Sequence, residues 1–170
     1  MSASPIEQII YRIPDHGEIA AIVRLMEDVF NDFIAPGYDP EGIDQFFHYI
    51  RGSAIALRLK RNHFVRVAAT SQKIVGVIEV RNYNHISLLF VTREFQRQGI
   101  AKILMQQAIA VCLREKPDLR KITVHADPRA LPAYKAMGFK KTGSERLDNG
   151  IRYVPMQYKP RKYLPLIQSD

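Results

Sequence analysis

The segment that most restricts the fold of this chain is Gln96-Arg97-Gln98-Gly99-Ile100-Ala101, because of what stands on either side of it. Before it runs Ile86-Ser87-Leu88-Leu89-Phe90-Val91, an apolar stretch that reads as a strand. After it Ile100, Ile103, Leu104, Ala108 and Val111 recur at the spacing of one helical face, until Pro117 stops the helix. A strand, a tight turn containing glycine and a helix start gather backbone N–H groups without intrahelical acceptors at the positive end of a helix dipole. Such a turn cradles an anion. Arg93 and Arg97 lie in it and Lys102 follows one turn into the helix, which suits a polyvalent anion such as a pyrophosphate.

Around this unit the rest of the chain falls into a short list of elements. Ile6 to Pro14 reads as a first strand. A helix from about Gly17 carries Ile19, Ile22, Val23, Met26, Val29, Phe30 and Phe33 on one face and is broken at Pro36-Gly37-Tyr38-Asp39-Pro40. A second helix, started near Asp39, carries Ile43, Phe46, Phe47, Ile50, Ala54 and Leu57. His63 to Thr70, Lys73 to Arg81 and His85 to Val91 form an antiparallel meander. Leu119 to His125 is a strand separated from the third of these by a helix, so the two lie parallel in a β-α-β unit with the cradle at the carboxyl end of the first. A short helix over Arg129 to Met137 ends at Gly138, and Phe139 to Leu147 and Ile151 to Tyr158 flank the hairpin signal Asp148-Asn149-Gly150. The expected fold is α+β in three layers, α/β/α, over a mixed, mostly antiparallel sheet with one parallel strand pair whose splaying opens a crevice beside the cradle.

With 170 residues and no linker-like stretch, residues 1–158 read as one domain followed by a basic and apolar tail, 159–170. Tyr163, Leu164, Leu166 and Ile167 in that tail can pack on the domain or on a partner chain, which leaves a homodimer open. The single cysteine, Cys112, allows no intrachain disulfide, and nothing has the spacing of a metal-ligand cluster, so no metal is expected. No leader pattern opens the chain and no apolar run approaches the ~20 residues of a membrane span, so the expectation is a soluble, cytoplasmic protein without a membrane partner. The net charge of +8 favours anionic ligands. Nucleic acid is not the expected one, since no recognised motif is present and the aromatic residues belong to core faces. The basic runs Arg58-Leu59-Lys60-Arg61 and Lys159-Pro160-Arg161-Lys162 read as helix-dipole compensation and a solvated tail.

The order β α α β β β α β α β β, with Gln96, Gly99 and Ala101 in a Gln-x-x-Gly-x-Ala turn, resembles the GNAT family of acetyl-CoA-dependent N-acetyltransferases over about Ile6 to Tyr158. A second block, His125-Ala126-Asp127-Pro128-Arg129-Ala130-Leu131-Pro132-Ala133-Tyr134-Lys135-Ala136-Met137-Gly138-Phe139, is similar to the family's later motif, although His125 and Asp127 stand where relatives often have Asn and Ser. The resemblance implies acetyl-CoA as co-substrate and no metal. Backbone N–H groups from Gln98 to Lys102, in the turn Gln96, Arg97, Gln98, Gly99, Ile100, Ala101 and Lys102, would hold its pyrophosphate. Phe90 and Val91 would pair with the pantetheine arm, and Tyr134 would protonate the departing thiolate. The acceptor implied is a primary amine of a small molecule or peptide. A non-catalytic acyl-CoA-binding module of the same fold is the alternative.

Transfer to an amine needs a neutral nucleophile, so a proton acceptor is sought. Glu79 is the leading candidate: alternation sets it with Val75, Val77 and Arg81 on one face of its strand and Ile74, Gly76, Ile78 and Val80 on the other, and desolvation there would raise its pKa. The opposing role is an ion pair with Arg81 or a cross-strand cation. His85 and His125, at strand ends on the crevice rim, or a water are the other candidates. Glu27, Asp28, Asn31, Asp32, Asp39, Glu41 and Asp44 form a local excess of acid in and around the first two helices. That excess would suit a cationic amine if it lined the substrate mouth, and otherwise represents solvated positions and caps.

Overall fold

The computed structural model describes residues 7–161, so the expectations for Ile6 and for Tyr163 to Ile167 lie outside the described residues. Strand β1, Ile10–Arg12, leads through a 3-10 turn into helix α1, Ile19–Val29, whose Ile22, Leu25, Met26 and Val29 are buried. The helix then loosens into a π-turn, Phe30–Ile34, and a 3-10 turn, Ala35–Gly37, where Pro36 removes a backbone donor.

The second helix differs from the expectation. It is two helices, α2 at Pro40–Tyr49 and α3 at Gly52–Leu59, broken where Arg51 turns extended at φ −53° and ψ 137°. Gly52 is a poor residue for a helix interior and a natural place to stop. The break rotates α3 so that Ile55 is buried and Leu57, expected inside, is 55% exposed.

Strands β2, His63–Ala69, β3, Ile74–Arg81, and β4, His85–Val91, form the meander within a residue of the expected bounds. Asn82 and Tyr83, at φ 52° and 55°, turn β3 into β4. Helix α4, Ile100–Glu115, is followed by β5, Ile122–Ala126, and by α5, Leu131–Ala136, closed by Gly138 at φ +94°. The strand expected over Phe139 to Leu147 is interrupted: β6 is only Lys140–Lys141 and β7 only Arg146–Asp148, both paired with β8, Ile151–Tyr158. Pro155 of β8 has no N–H to give, and Gly143 passes so close to its ring that a Cβ would lie 3.2 Å away.

The sheet runs β1-β2-β3-β4-β5-β8-β6, antiparallel except between β4 and β5. One face packs α4 and α5 over Ile78, Val80, Ile86, Ile122 and Val124; the other packs α1 to α3 over Val65, Val67, Val77 and Leu88. The alternation on β3 holds from Gly76 onward but slips before it. A bulge pairs Ala68 with Gly76 and Ala69 with Ile74, which sends Ile74 to the α1 side and Val75 to the α4 side. Gly76 lies against Ile100 and Leu104, each 3.1 Å from where a Cβ would stand, so α4 can sit close on the strand.

Candidate active site

The site begins as a failure of pairing. β4 and β5 are in register at only two positions, His85 with Thr123 and Ile86 with Val124. Opposite β3, Val80 pairs with Ile86 but Glu79 with Leu88, leaving Ser87 as the extra residue of a bulge. A bulge bends its strand and sharpens the local twist, and β4 parts from β5 there. Beyond Ile86, β4 has β3 on one side and a crevice on the other, with Leu89 and Phe90 half-buried along it.

At the far end of β4 the chain enters the cradle. Gln96 spends its side-chain amide on the carbonyl of Val91 at 2.9 Å, tying the turn to the strand, and Gln98 donates to the Glu94 carbonyl at 3.1 Å. Arg97 at φ 59° and Gly99 at φ 81° are both left-handed, which points successive amides the same way. Ile103 is the first residue whose N–H finds an acceptor, the carbonyl of Gly99 at 3.1 Å. The N–H groups of Arg97 through Lys102 have none among the described residues, and they stand at the N-terminus of the 16-residue α4. A Cβ on Gly99 would meet nothing within 4 Å, so the cradle is open. Arg97 and Lys102 are exposed beside it. Arg93 is not, as had been expected, part of this cluster: it lies over the Phe33 ring at 4.9 Å and 4.0 Å from Asp32, holding the π-turn.

The opposite wall is β5 with the short helix after it. Tyr134 is buried, edge-on to Phe139 at 5.6 Å, and its hydroxyl makes no hydrogen bond within the described residues. Burial, and then the charge of Asp127, raise its pKa well above that of an ordinary phenol, so the proton stays on. Asp127, which stands where relatives often have Ser, is paired with Arg129: it accepts from the Arg129 backbone at 2.9 Å and from its guanidinium at 3.1 Å. Arg129 also donates to the carbonyl of Ile34 at 2.9 Å, which ties the α1–α2 connection to this wall.

Glu79 is fully buried on the α1–α3 face, as alternation required, but not with a free carboxylate. Arg58 of α3 takes both oxygens, Nε to Oε1 at 2.6 Å and Nη2 to Oε2 at 3.0 Å, while donating to the Tyr49 carbonyl at 2.7 Å and lying 3.8 Å over the Tyr49 ring. The ion pair weighed against a base role is the arrangement observed, with Arg58 in place of Arg81. A carboxylate held on both oxygens by one guanidinium and buried away from water is not free to meet an amine, so the geometry favours the ion-pair role of Glu79 over that of proton acceptor.

The imidazoles do sit at the crevice, at its floor. His85 Nδ1 is 2.8 Å from the hydroxyl of Thr123, which donates to the Asn84 carbonyl at 3.5 Å; on that assignment Nδ1 carries the proton and Nε2 keeps its lone pair. Burial, then the charges of Arg81 and His125, lower the His85 pKa to about 4. The His125 ring stands edge-on to it at 4.9 Å and stacks on Tyr153 at 4.2 Å. Arg58, Thr123 and Tyr153 escaped the sequence reading. Arg58 had a sufficient local explanation as a helix-end cation, and the other two carry no motif. Of the acidic residues near the first two helices, Asp28, Asp32, Asp39, Glu41 and Asp44 are exposed. A cavity of about 490 Å³ lined by Ile13, Ile22, Ile55, Leu59 and Phe64 opens beside β2 and contains none of the cradle residues.

Residues 34–160 match the acetyltransferase (GNAT) domain family. The chain is 25% identical over 143 residues to the peptidyl-lysine N-acetyltransferase YjaB of Salmonella typhimurium, covering 84% of this chain and 89% of that protein. Its fold is similar to that of a GCN5-related N-acetyltransferase from Rhodopseudomonas palustris, with TM-score 0.77, 15% identity and coverage of 93% of this chain and 100% of the other. It is similar also to the PaiA N-acetyltransferase of Thermoplasma acidophilum in complex with coenzyme A, with TM-score 0.76, 15% identity and coverage of 90% and 99%.

Proposed function

Because the chain belongs to the acetyltransferase (GNAT) family, we propose that it is an N-acetyltransferase that moves the acetyl group of acetyl-CoA to a primary amine of a small molecule or peptide, by direct attack in a ternary complex. The observation that carries this reading is the run of acceptorless N–H groups from Arg97 to Lys102, opening at the end of a strand that has lost its neighbour. Acetyl-CoA supplies an acyl thioester whose carbonyl carbon takes the amine and whose sulfur leaves as thiolate.

The cradle amides and the α4 dipole hold the pyrophosphate, with Arg97 and Lys102 adding charge. The open edge of β4 at Phe90 and Val91 takes the pantetheine arm as an added strand. Gln96 keeps the turn in place through its bond to Val91. Tyr134 gives its proton to the thiolate: burial keeps the phenol protonated until then, and a thiolate set free in the same dry site is destabilised by the same loss of water. His85 accepts an N–H of the amine at Nε2 and aims its lone pair. With a pKa of about 4 it is too weak a base to strip an ammonium ion, so the amine enters already neutral and its proton leaves through water. Glu79 serves by holding Arg58 against Tyr49.

The direct test follows free thiol while the protein is incubated with acetyl-CoA and a panel of amines. Release above the hydrolysis background is expected for at least one amine, and Tyr134→Phe should lower kcat by roughly 100-fold. Absence of release with every amine defeats the proposal. It would favour the second reading, an acyl-CoA-binding module without turnover, for which the engagement of Glu79 by Arg58 is the supporting observation.

A further inference from the structure

Strand register lays a row of polar side chains across the sheet face that carries α1 to α3. His63 pairs with Arg81, Arg81 with His85, and His85 with Thr123. One step along, His125 stacks on Tyr153, which pairs with Arg146. Directly paired residues share a face, so Arg81 and Arg146 bracket the two imidazoles from opposite sides of the crevice floor. This end of the face is uncovered: Arg81, His125 and Arg146 are all exposed.

The guanidiniums here are not all alike. Arg58 is paired with Glu79 and Arg152 lies 3.9 Å from Glu145, whereas Arg81 and Arg146 have no hydrogen-bond or ion-pair partner among the described residues. Arg146 is folded over the sheet, its Nη2 standing 3.5 Å from where a Cβ on Gly143 would be, near Pro155, the residue paired with His125. Both charges reach the imidazoles. After burial, Arg81 is among the causes that lower the pKa of His63, His85 and His125, and Arg146 does the same for His125. Asp148 is the carboxylate that acts the other way on His125. Each of these two arginines, without a partner among the described residues and close enough to act on His125, presents a planar fork of donors matched to carboxylate or phosphate oxygens.

We propose that the acceptor amine carries an anionic group, a carboxylate or a phosphate, which Arg81 and Arg146 hold at the crevice floor while the amine reaches the level where β4 and β5 part. This rests on the acetyl-transfer reading. It also departs from the cationic acceptor that an acidic mouth would have suited, since the cations face the crevice floor. From His85 to Leu88 the strand rises roughly 10 Å, so an acceptor with several bonds between amine and anion fits better than one with them adjacent.

The test uses the full chain: calorimetric binding is read with coenzyme A saturating the cradle, so that phosphate probes do not report on it, and thiol release is read separately with acetyl-CoA in place of coenzyme A. Two matched pairs serve as probes: Nα-acetyl-lysine against its C-terminal amide, and glucosamine 6-phosphate against glucosamine. The anionic member of at least one pair is expected to bind about 10- to 100-fold more tightly than its neutral mate, as for one or two charge-assisted contacts. Arg81→Gln and Arg146→Gln should each bring that ratio toward 1. Whichever pair responds separates carboxylate from phosphate. Both side chains are exposed, so the variants should melt like the parent, which a thermal scan checks. Equal binding within both pairs, or a preference that survives both substitutions, overturns the proposal. Anion-selective binding without any thiol release defeats the acetyl-transfer reading and leaves only an anion site at Arg81 and Arg146; turnover without anion preference overturns the proposal and leaves that reading standing.

Discussion

Single residues carry the strongest constraints on this site. Gly99 stands at φ +81° in open space, so alanine there clashes with nothing yet must adopt a backbone that costs an L-residue about 1–2 kcal/mol. Gly99→Ala should therefore lower stability by that order, measurable by denaturant unfolding, and weaken coenzyme A binding because relief of that strain moves the amides on either side of it. Unchanged coenzyme A affinity would show that the amides around Gly99 do not hold the ligand. Glu79 and Arg58 make a second residue-scale case. Removing one partner strands a buried charge, so Arg58→Met should cost about 3–5 kcal/mol, while the pair Arg58→Met with Glu79→Leu should recover most of it. If the two single losses simply add in the double variant, the ion pair is not the unit described here. Glycine 99 was legible in the sequence because a strand-turn-helix needs it locally. The partner of Glu79 was not, since 21 residues separate it from Arg58 and no periodicity links them.

At the scale of elements, the hairpin of β7 and β8 is seated on the first turn of α2 through two glycines. A Cβ on Gly42 would overlap the Gly150 carbonyl oxygen, and one on Gly150 would lie only 2.5 Å from the Gly42 nitrogen. Backbone cannot yield as a flexible side chain can, so Gly42→Ala should lift the hairpin from α2 and cost at least about 2 kcal/mol by thermal or chemical unfolding. Gly17→Ala, with nothing within 4 Å, is the matched control and should stay within about 0.5 kcal/mol. Equal effects at the two glycines would mean the hairpin does not rest on α2. The turn Asp148-Asn149-Gly150 was readable as a hairpin, and Asn149 and Gly150 are left-handed as that turn demands. What α2 does to it was not readable, nor was the break at Arg51, because helical periodicity continues through that point while the chain does not.

For the whole molecule, the buried side of the sheet sets how stability responds to acid. Burial lowers the His85 pKa from 6.5 to about 4, so the unfolded chain binds that proton more readily; stability is intact above pH 6.5, falls between 6.5 and 4, and levels off below. Glu18, hydrogen-bonded by Arg12, is lowered to about 2, and its contribution is lost from pH 4.5 downward. The melting temperature should thus fall between pH 7 and pH 4.5, and His85→Asn should flatten that limb by an amount corresponding to about 1–2 kcal/mol. A parallel limb in the variant would show that His85 is not held neutral by the fold. Hydrophobic period and turn chemistry determined by themselves the element order, apart from the break at Arg51 and the interruption after Lys141, and the strand-turn-helix after Val91, because each depends on residues within a few positions of one another; the one parallel pair followed from a helix standing between two strands. The tertiary structure alone decided that Glu79 is clamped by Arg58, that Arg93 faces Asp32 and leaves the cradle to Arg97 and Lys102, and that Arg81 and Arg146 bracket His85 and His125. Those outcomes depend on strand register and on how helices lie across the sheet, and side chains brought together that way have no common period in the chain.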